Sequence, residues 1–225
     1  MMTDPYVVKA LEYLTSLTSA LLFVAFWRFV NGGGARVVER ARAWSGRLSE
    51  WFRVPERVFF HSGHGWARLD GPGVMTVGVD DFAQQLVGPL AALTLPDKGA
   101  PLRAGERAWS LNADSKAVDM LAPVTGTVVD VNRAAIERPE LVNDDPYGRG
   151  WLLKVQVPRT ATAVRPLLTG AAARKWIDQV SEQLMNTMSP ELGQLCQDGG
   201  LPVHCIARGI DEAHWDEVAR KFLLS

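Results

Sequence analysis

The sequence predicts a mainly β domain held between an N-terminal transmembrane helix and a C-terminal helical extension. Three observations carry that expectation. Residues 13–30 (YLTSLTSALLFVAFWRFV) form an apolar run in which Arg28 is the only charge. From Val58 the pattern changes to short β-rich runs separated by Gly, Pro and Asp. Past Pro158 the hydrophobic period turns helical again. The expected divisions are a membrane anchor at 1–34, an Arg-rich juxtamembrane linker helix at 35–57, the β domain at 58–158 and a helical extension at 159–225.

The apolar run lies near the lower limit of the roughly 17–25 residues that a spanning helix needs. Residues 6–11 lengthen it if Lys9 snorkels to the interface. A cleavable signal peptide is the rival reading, but no basic region precedes the apolar core and no small-x-small site directly follows it. A buried amphipathic helix fits less well, because Leu21, Leu22, Phe23, Val24, Ala25, Phe26 and Trp27 leave no polar face. Arg28, Arg36, Arg40, Arg42 and Arg47 follow the run and only Lys9 precedes it, so the positive-inside bias places the carboxyl end in the cytoplasm. The expected protein is thus single-pass, with its β domain and C-terminus cytoplasmic. Cysteine usage agrees: Cys196 and Cys205 are the only two, which suits a reducing compartment. A net charge of -1 provides no broad field for capturing nucleic acid.

Gly32, Gly33 and Gly34 break the first helix. The linker resumes helical spacing through Val37, Val38, Ala41, Trp44 and Leu48 and closes at Pro55. In the β region, strands are expected at 74–79, 90–95, 108–111, 127–131 and 151–157. A short helix interrupts them at 80–87 (DDFAQQLV), with Asp80 as its N-cap. The extension offers Leu167, Ala171, Trp176, Val180 and Leu184 as buried positions. A final helix at 211–224 has Asp211 and Glu212 at its start and Arg220 and Lys221 near its end, matching the helix dipole.

Residues 64–88 (HGWARLDGPGVMTVGVDDFAQQLVG) carry His-x-Trp, a strand, Thr-Val-Gly-Val and a short Ala-Gln-containing helix ending in Leu-x-Gly. Leu95-Pro96, Ala104-Gly105-Glu106 and Ala122-Pro123-Val124-Thr125-Gly126 follow in order, and residues 140–154 (ELVNDDPYGRGWLLK) are the most specific stretch. This succession resembles the glycine cleavage system H protein family, over roughly a hundred residues. The resemblance implies a flattened β barrel-sandwich hybrid of the lipoyl/biotinyl type. In it a tight hairpin presents one lysine, amide-linked to lipoate, on a rigid tip that lets the arm visit several active sites.

The only lysine in that hairpin is Lys116, the candidate lipoyl attachment residue, with lipoate as covalent cofactor. The family register nevertheless falls on Ser115. In the family the lysine lies eight residues before the proline of Ala-Pro-Val, here Pro123, and ten after the glycine at Gly105. The family's acid three residues before lysine is also missing, since neither Asn112 nor Ala113 supplies it and Asp114 is displaced. A one-residue slip reverses side-chain direction along a strand, unless an added residue before Lys116 and a deletion after it restore presentation. A biotin carrier is disfavoured because the Met-Lys-Met setting is absent.

No catalytic constellation accompanies the hairpin. Ser115 beside Asp114 has no histidine nearby in sequence. Asn143, Asp144, Asp145 and Tyr147 read as a tight turn, as do Gly148 and Gly150 around Arg149, because no helix opens at those glycines. His61 and His64 lack a cysteine or carboxylate partner in sequence, and Cys196, His204, Cys205 and His214 lack the short Cys-x-x-Cys pairs of zinc sites, so no metal is expected.

Two functions follow, neither enzymatic. One is an H-protein-like carrier that shuttles an aminomethyl or related group on a lipoyl arm. For it the resemblance implies glycine decarboxylase, aminomethyltransferase and dihydrolipoyl dehydrogenase as partners. The other is a non-lipoylated scaffold subunit or docking platform of a membrane-associated complex.

Overall fold

A computed structural model describes residues 9, 13–24, 26–27, 52–187 and 205–224. The chain divides into two compact units, Met1–Arg47 and Leu48–Ser225. In the first, residues 13–24 are helical and Leu21, Leu22 and Phe23 are exposed. Among the described residues no helix is long and apolar enough to cross a membrane. The expected span continues through residues 28–30, and these, with residues 35–51 of the linker expected at 35–57, lie outside the described residues.

The described residues of the second unit form nine strands in two antiparallel sheets. They are β1 (Phe59–Phe60), β2 (Gly65–Gly71), β3 (Val74–Val79), β4 (Ala92–Thr94), β5 (Pro101–Leu102), β6 (Arg107–Ala113), β7 (Lys116–Leu121), β8 (Gly126–Val131) and β9 (Leu153–Gln156). One sheet runs β1-β2-β3-β9-β8-β5 and the other β4-β6-β7. Period-2 alternation points Met75, Val77, Leu111, Val118, Val128 and Val155 into one core shared by both sheets. The expected strand at 74–79 is found with the same bounds, whereas those at 90–95 and 151–157 shorten to Ala92–Thr94 and Leu153–Gln156.

Helix α1 (Asp81–Val87) follows β3, and Asp80 caps it by accepting from the Ala83 amide at 2.8 Å. Between β8 and β9 lie two short helices, α2 (Arg133–Glu137) and α3 (Glu140–Asp144). Asn143 and Asp144 therefore belong to a helical turn, and the tight turn expected of them begins only at Asp145. The Asp145 carbonyl takes the Gly148 and Gly150 amides at 3.2 and 2.8 Å, and its side chain takes the Arg149 amide at 2.9 Å.

The extension contributes α4 (Thr160–Val164), α5 (Gly170–Thr187), α6 (Ile206–Ile210) and α7 (Trp215–Leu223). On α5 the buried side is Ala173, Ile177, Val180 and Leu184, with Trp176 partly buried; Ala171, expected inside, is exposed. Counting at 3.6 residues per turn back from Val180 selects 173 and 177, which leaves 171 on the outer face. The last helix begins later than expected. Asp211 organises the preceding turn by accepting the Ala213 and His214 amides, and Asp216 and Glu217 stand in the helix's first turn instead. Trp215, Ala219, Phe222 and Leu223 are buried, and each of the three large side chains contributes roughly 2 kcal/mol of apolar burial.

Candidate functional site

The β6–β7 hairpin is where a carried group would sit. Its strands pair as Ser110↔Asp119, Leu111↔Val118, Asn112↔Ala117 and Ala113↔Lys116, so the turn consists of Asp114 and Ser115 alone. Asp114 takes a left-handed φ of 51°, a conformation Asp tolerates in a two-residue hairpin loop. The register irregularity of this pair lies at the far end, between Arg107 and Trp109, and nothing near the tip moves Lys116 forward. Ser115 is exposed at the turn.

Alternation along β7 then decides where Lys116 points. It shares a face with Val118 and Met120, both fully buried, and its cross-strand neighbour Ala113 is buried too. Ala117 and Asp119 occupy the other, more open face. Lys116 thus leaves the hairpin on its core-facing side, where α7 packs against β7.

There its ammonium donates to the Ala213 carbonyl and to the Asp216 carboxylate. Asp216 also receives Arg220 at 2.9 Å, and Arg220 reaches the Ala117 carbonyl at 3.4 Å. On the turn itself Asp114 is paired with Arg208, whose guanidinium lies 5.3 Å from the Trp215 ring centre. The hydrogen bond from Lys116, helped by the charges of Lys116 and Arg220, holds the Asp216 carboxyl below the usual carboxylate range.

The tail is seated by backbone contacts as well. The Cys205 amide donates to the Gln85 carbonyl of α1 at 3.1 Å. Gly88, which ends α1 with a φ of 87°, lies so close that a Cβ there would come 2.2 Å from the Cys205 sulfur. Burial raises the Cys205 thiol above its ordinary range, which does not favour a reactive thiolate.

The motif residues singled out in the sequence brace this platform. Trp66 donates from Nε1 to the Val79 and Pro146 carbonyls at 2.9 and 3.1 Å. Tyr147 donates its hydroxyl to the Arg53 carbonyl at 2.7 Å and accepts the Asp81 amide at 3.0 Å, and burial pushes that hydroxyl far above the usual phenol range. Asn143 joins α3 to α1 through the Gln84 side chain and the Gly88 carbonyl. His64 meets Asp80 at 2.8 Å, both buried, and stacks on Phe82, so sequence reasoning missed a carboxylate partner 16 residues away. His61 accepts the Gly63 amide at 3.0 Å. Among the described residues no group of three or more His, Cys, Asp or Glu is placed to hold a metal; Cys196 and His204 lie outside them.

Lys116 as placed does not fit a swinging lipoyl arm. Its side chain is one-third exposed, it leaves the strand on the core-facing side, and two of its three donors are taken, by Asp216 of α7 and by Ala213 two residues before that helix. Nothing local marks Asp216 and Arg208 as hairpin partners, because the contacts are long-range; along the helix the i, i+4 pair of Asp216 and Arg220 is visible.

Comparison with known proteins identifies the family of the β domain. The family model described as glycine cleavage H-protein matches residues 58–180. A glycine cleavage system H protein of Marinobacter nauticus is 38% identical over 104 residues, taking in 46% of this chain and 80% of the relative. One of Mycobacterium avium is 40% identical over 124 residues, taking in 54% of this chain and 94% of the relative. The crystal structure of a glycine cleavage system H protein from Mycobacterium marinum aligns with a TM-score of 0.49 at 31% identity, covering 56% of this chain and 98% of that one. The chain belongs to the glycine cleavage H-protein family, whose members are lipoyl carriers and not catalysts.

Proposed function

We propose that this chain is an H-protein module that serves the enzymes of a glycine-cleavage-type system as a non-lipoylated binding platform. The observation that carries this reading is the hairpin register. The turn position where the family bears its lysine holds Ser115, and Lys116 is drawn to the core-facing side by Asp216. Such a module keeps the family's rigid β framework while its hairpin lacks a mobile arm.

Family membership favours a second reading, in which Lys116 carries lipoate and shuttles an aminomethyl or related group. A purified lipoate ligase separates the two. Wild-type protein is expected to remain unmodified, and the Ser115→Lys, Lys116→Ala variant, which restores lysine to the turn, to accept lipoate better than wild type. Efficient loading of wild type that disappears in Lys116→Ala establishes the carrier instead.

We propose that the apolar residues 13–30 anchor the module to a membrane with the β domain in the cytoplasm, supported by the exposed Leu21, Leu22 and Phe23 and by the arginines that follow. Removing residues 1–34 should shift the protein from the membrane fraction to the soluble one. Full-length protein that is already soluble after a salt wash rules the anchor out.

A further inference from the structure

We infer that the C-terminal helices α6 and α7 are an intramolecular clamp on the hairpin, which withholds the Lys116 amine from acyl donors. This clamp rests on the reading of Lys116 as an unmodified lysine and assigns the cause to residues outside the family-matched stretch, 58–180.

Three charged side chains of the tail meet the hairpin in complementary order. Arg208 takes Asp114 on the turn, Asp216 takes Lys116 beside it, and Arg220 supports Asp216 while touching the Ala117 carbonyl. Ser115 lies between two residues that are each held by an opposite charge. The clamp is anchored apart from these pairs by the buried Trp215, Phe222 and Leu223, by the Cys205 amide on Gln85, and by the close approach of Cys205 to Gly88. An amine that attacks an activated acyl group must leave its hydrogen-bond acceptors, so the Ala213 carbonyl and Asp216 carboxylate oppose acylation of this lysine in particular. Lys98 and Lys175 are exposed and serve as internal references.

The test uses the unmodified full-length chain and the N-hydroxysuccinimide ester of acetate. In the labelling step lysine nitrogen bonds to the acyl carbon, the bond to N-hydroxysuccinimide breaks, and the amine proton passes to water. Peptide mass spectrometry follows each lysine over time. In wild type, Lys116 should react about tenfold more slowly than Lys98 and Lys175, the factor conferred by one charge-assisted hydrogen bond of ordinary strength. Asp216→Asn should remove most of that difference without changing the references, whereas Glu217→Gln, an exposed acid of the same helical turn, should not. If Lys116 of wild type reacts as fast as Lys98, the clamp is overturned, and this comparison needs no variant to fold. A host protein found lipoylated on Lys116 would end the reading of an unmodified lysine, whereas slow labelling of ligase-free protein would still establish the clamp.

Discussion

Lys116 and Asp216, 100 residues apart in the chain, form an ammonium–carboxylate pair that ties the tip of the β6–β7 hairpin to the first turn of α7. The pair exists because a one-residue displacement of lysine from the turn reverses its direction. At the turn it would face solvent; one position later it shares the core-facing side with Val118 and Met120.

The pair sets the cost of losing the lysine. A freely solvated turn lysine contributes within about 0.5 kcal/mol, but Lys116 is bound to two acceptors beside a nearly buried carboxylate. Lys116→Ala should therefore destabilise the module by about 1 kcal/mol, measured by urea denaturation. An unchanged midpoint would mean that the pair does not form in solution.

The acid dependence of the clamp follows from Asp216. Its carboxyl is depressed in the folded protein, chiefly by the hydrogen bond from Lys116, so its contribution is present above the ordinary carboxylate range and lost as pH falls through the lower folded value. Amide hydrogen exchange in α7 should accelerate relative to α1 as pH drops below about 4, after correction for intrinsic rates. Asp216→Asn should flatten that difference.

Gly88→Ala tests the seat of the tail. The left-handed φ of 87° and the 2.2 Å approach to the Cys205 sulfur leave no room for a methyl group. The substitution should cost about 1–3 kcal/mol and loosen α6 more than the β sheets, as read by hydrogen exchange. Uniform loosening would argue that the tail and sheets do not separate in this way.

Asp80→Ala removes both a helix cap and the buried partner of His64. Thermal or chemical denaturation should show a loss of about 2 kcal/mol or more, and Asp80→Asn, which keeps a side-chain oxygen for the Ala83 amide, should lose less.

Much of the β framework is legible in the sequence because its signals are local. Asp80 announces the cap of α1, residues 74–79 read as a short β-rich run, and the Gly148 and Gly150 turn follows from its composition. The hairpin around Lys116 is legible too, and its turn is formed by Asp114 and Ser115. What escapes is everything that joins distant segments. The His64–Asp80 pair, the Tyr147 bridge from Arg53 to Asp81 and the Lys116–Asp216 pair depend on packing that no single window contains. Helix dipole reasoning took Asp211 and Glu212 for the start of the last helix, where Asp216 and Glu217 stand, because an Asp-led turn and a helix N-terminus share their composition.

The account is tested most directly by intact mass and peptide mass mapping of the protein purified from its native host. An unmodified mass at the hairpin peptide containing Ser115 and Lys116 is the predicted result. A lipoyl adduct on that peptide, absent from Lys116→Ala, would contradict it and restore the carrier function of the family to this chain.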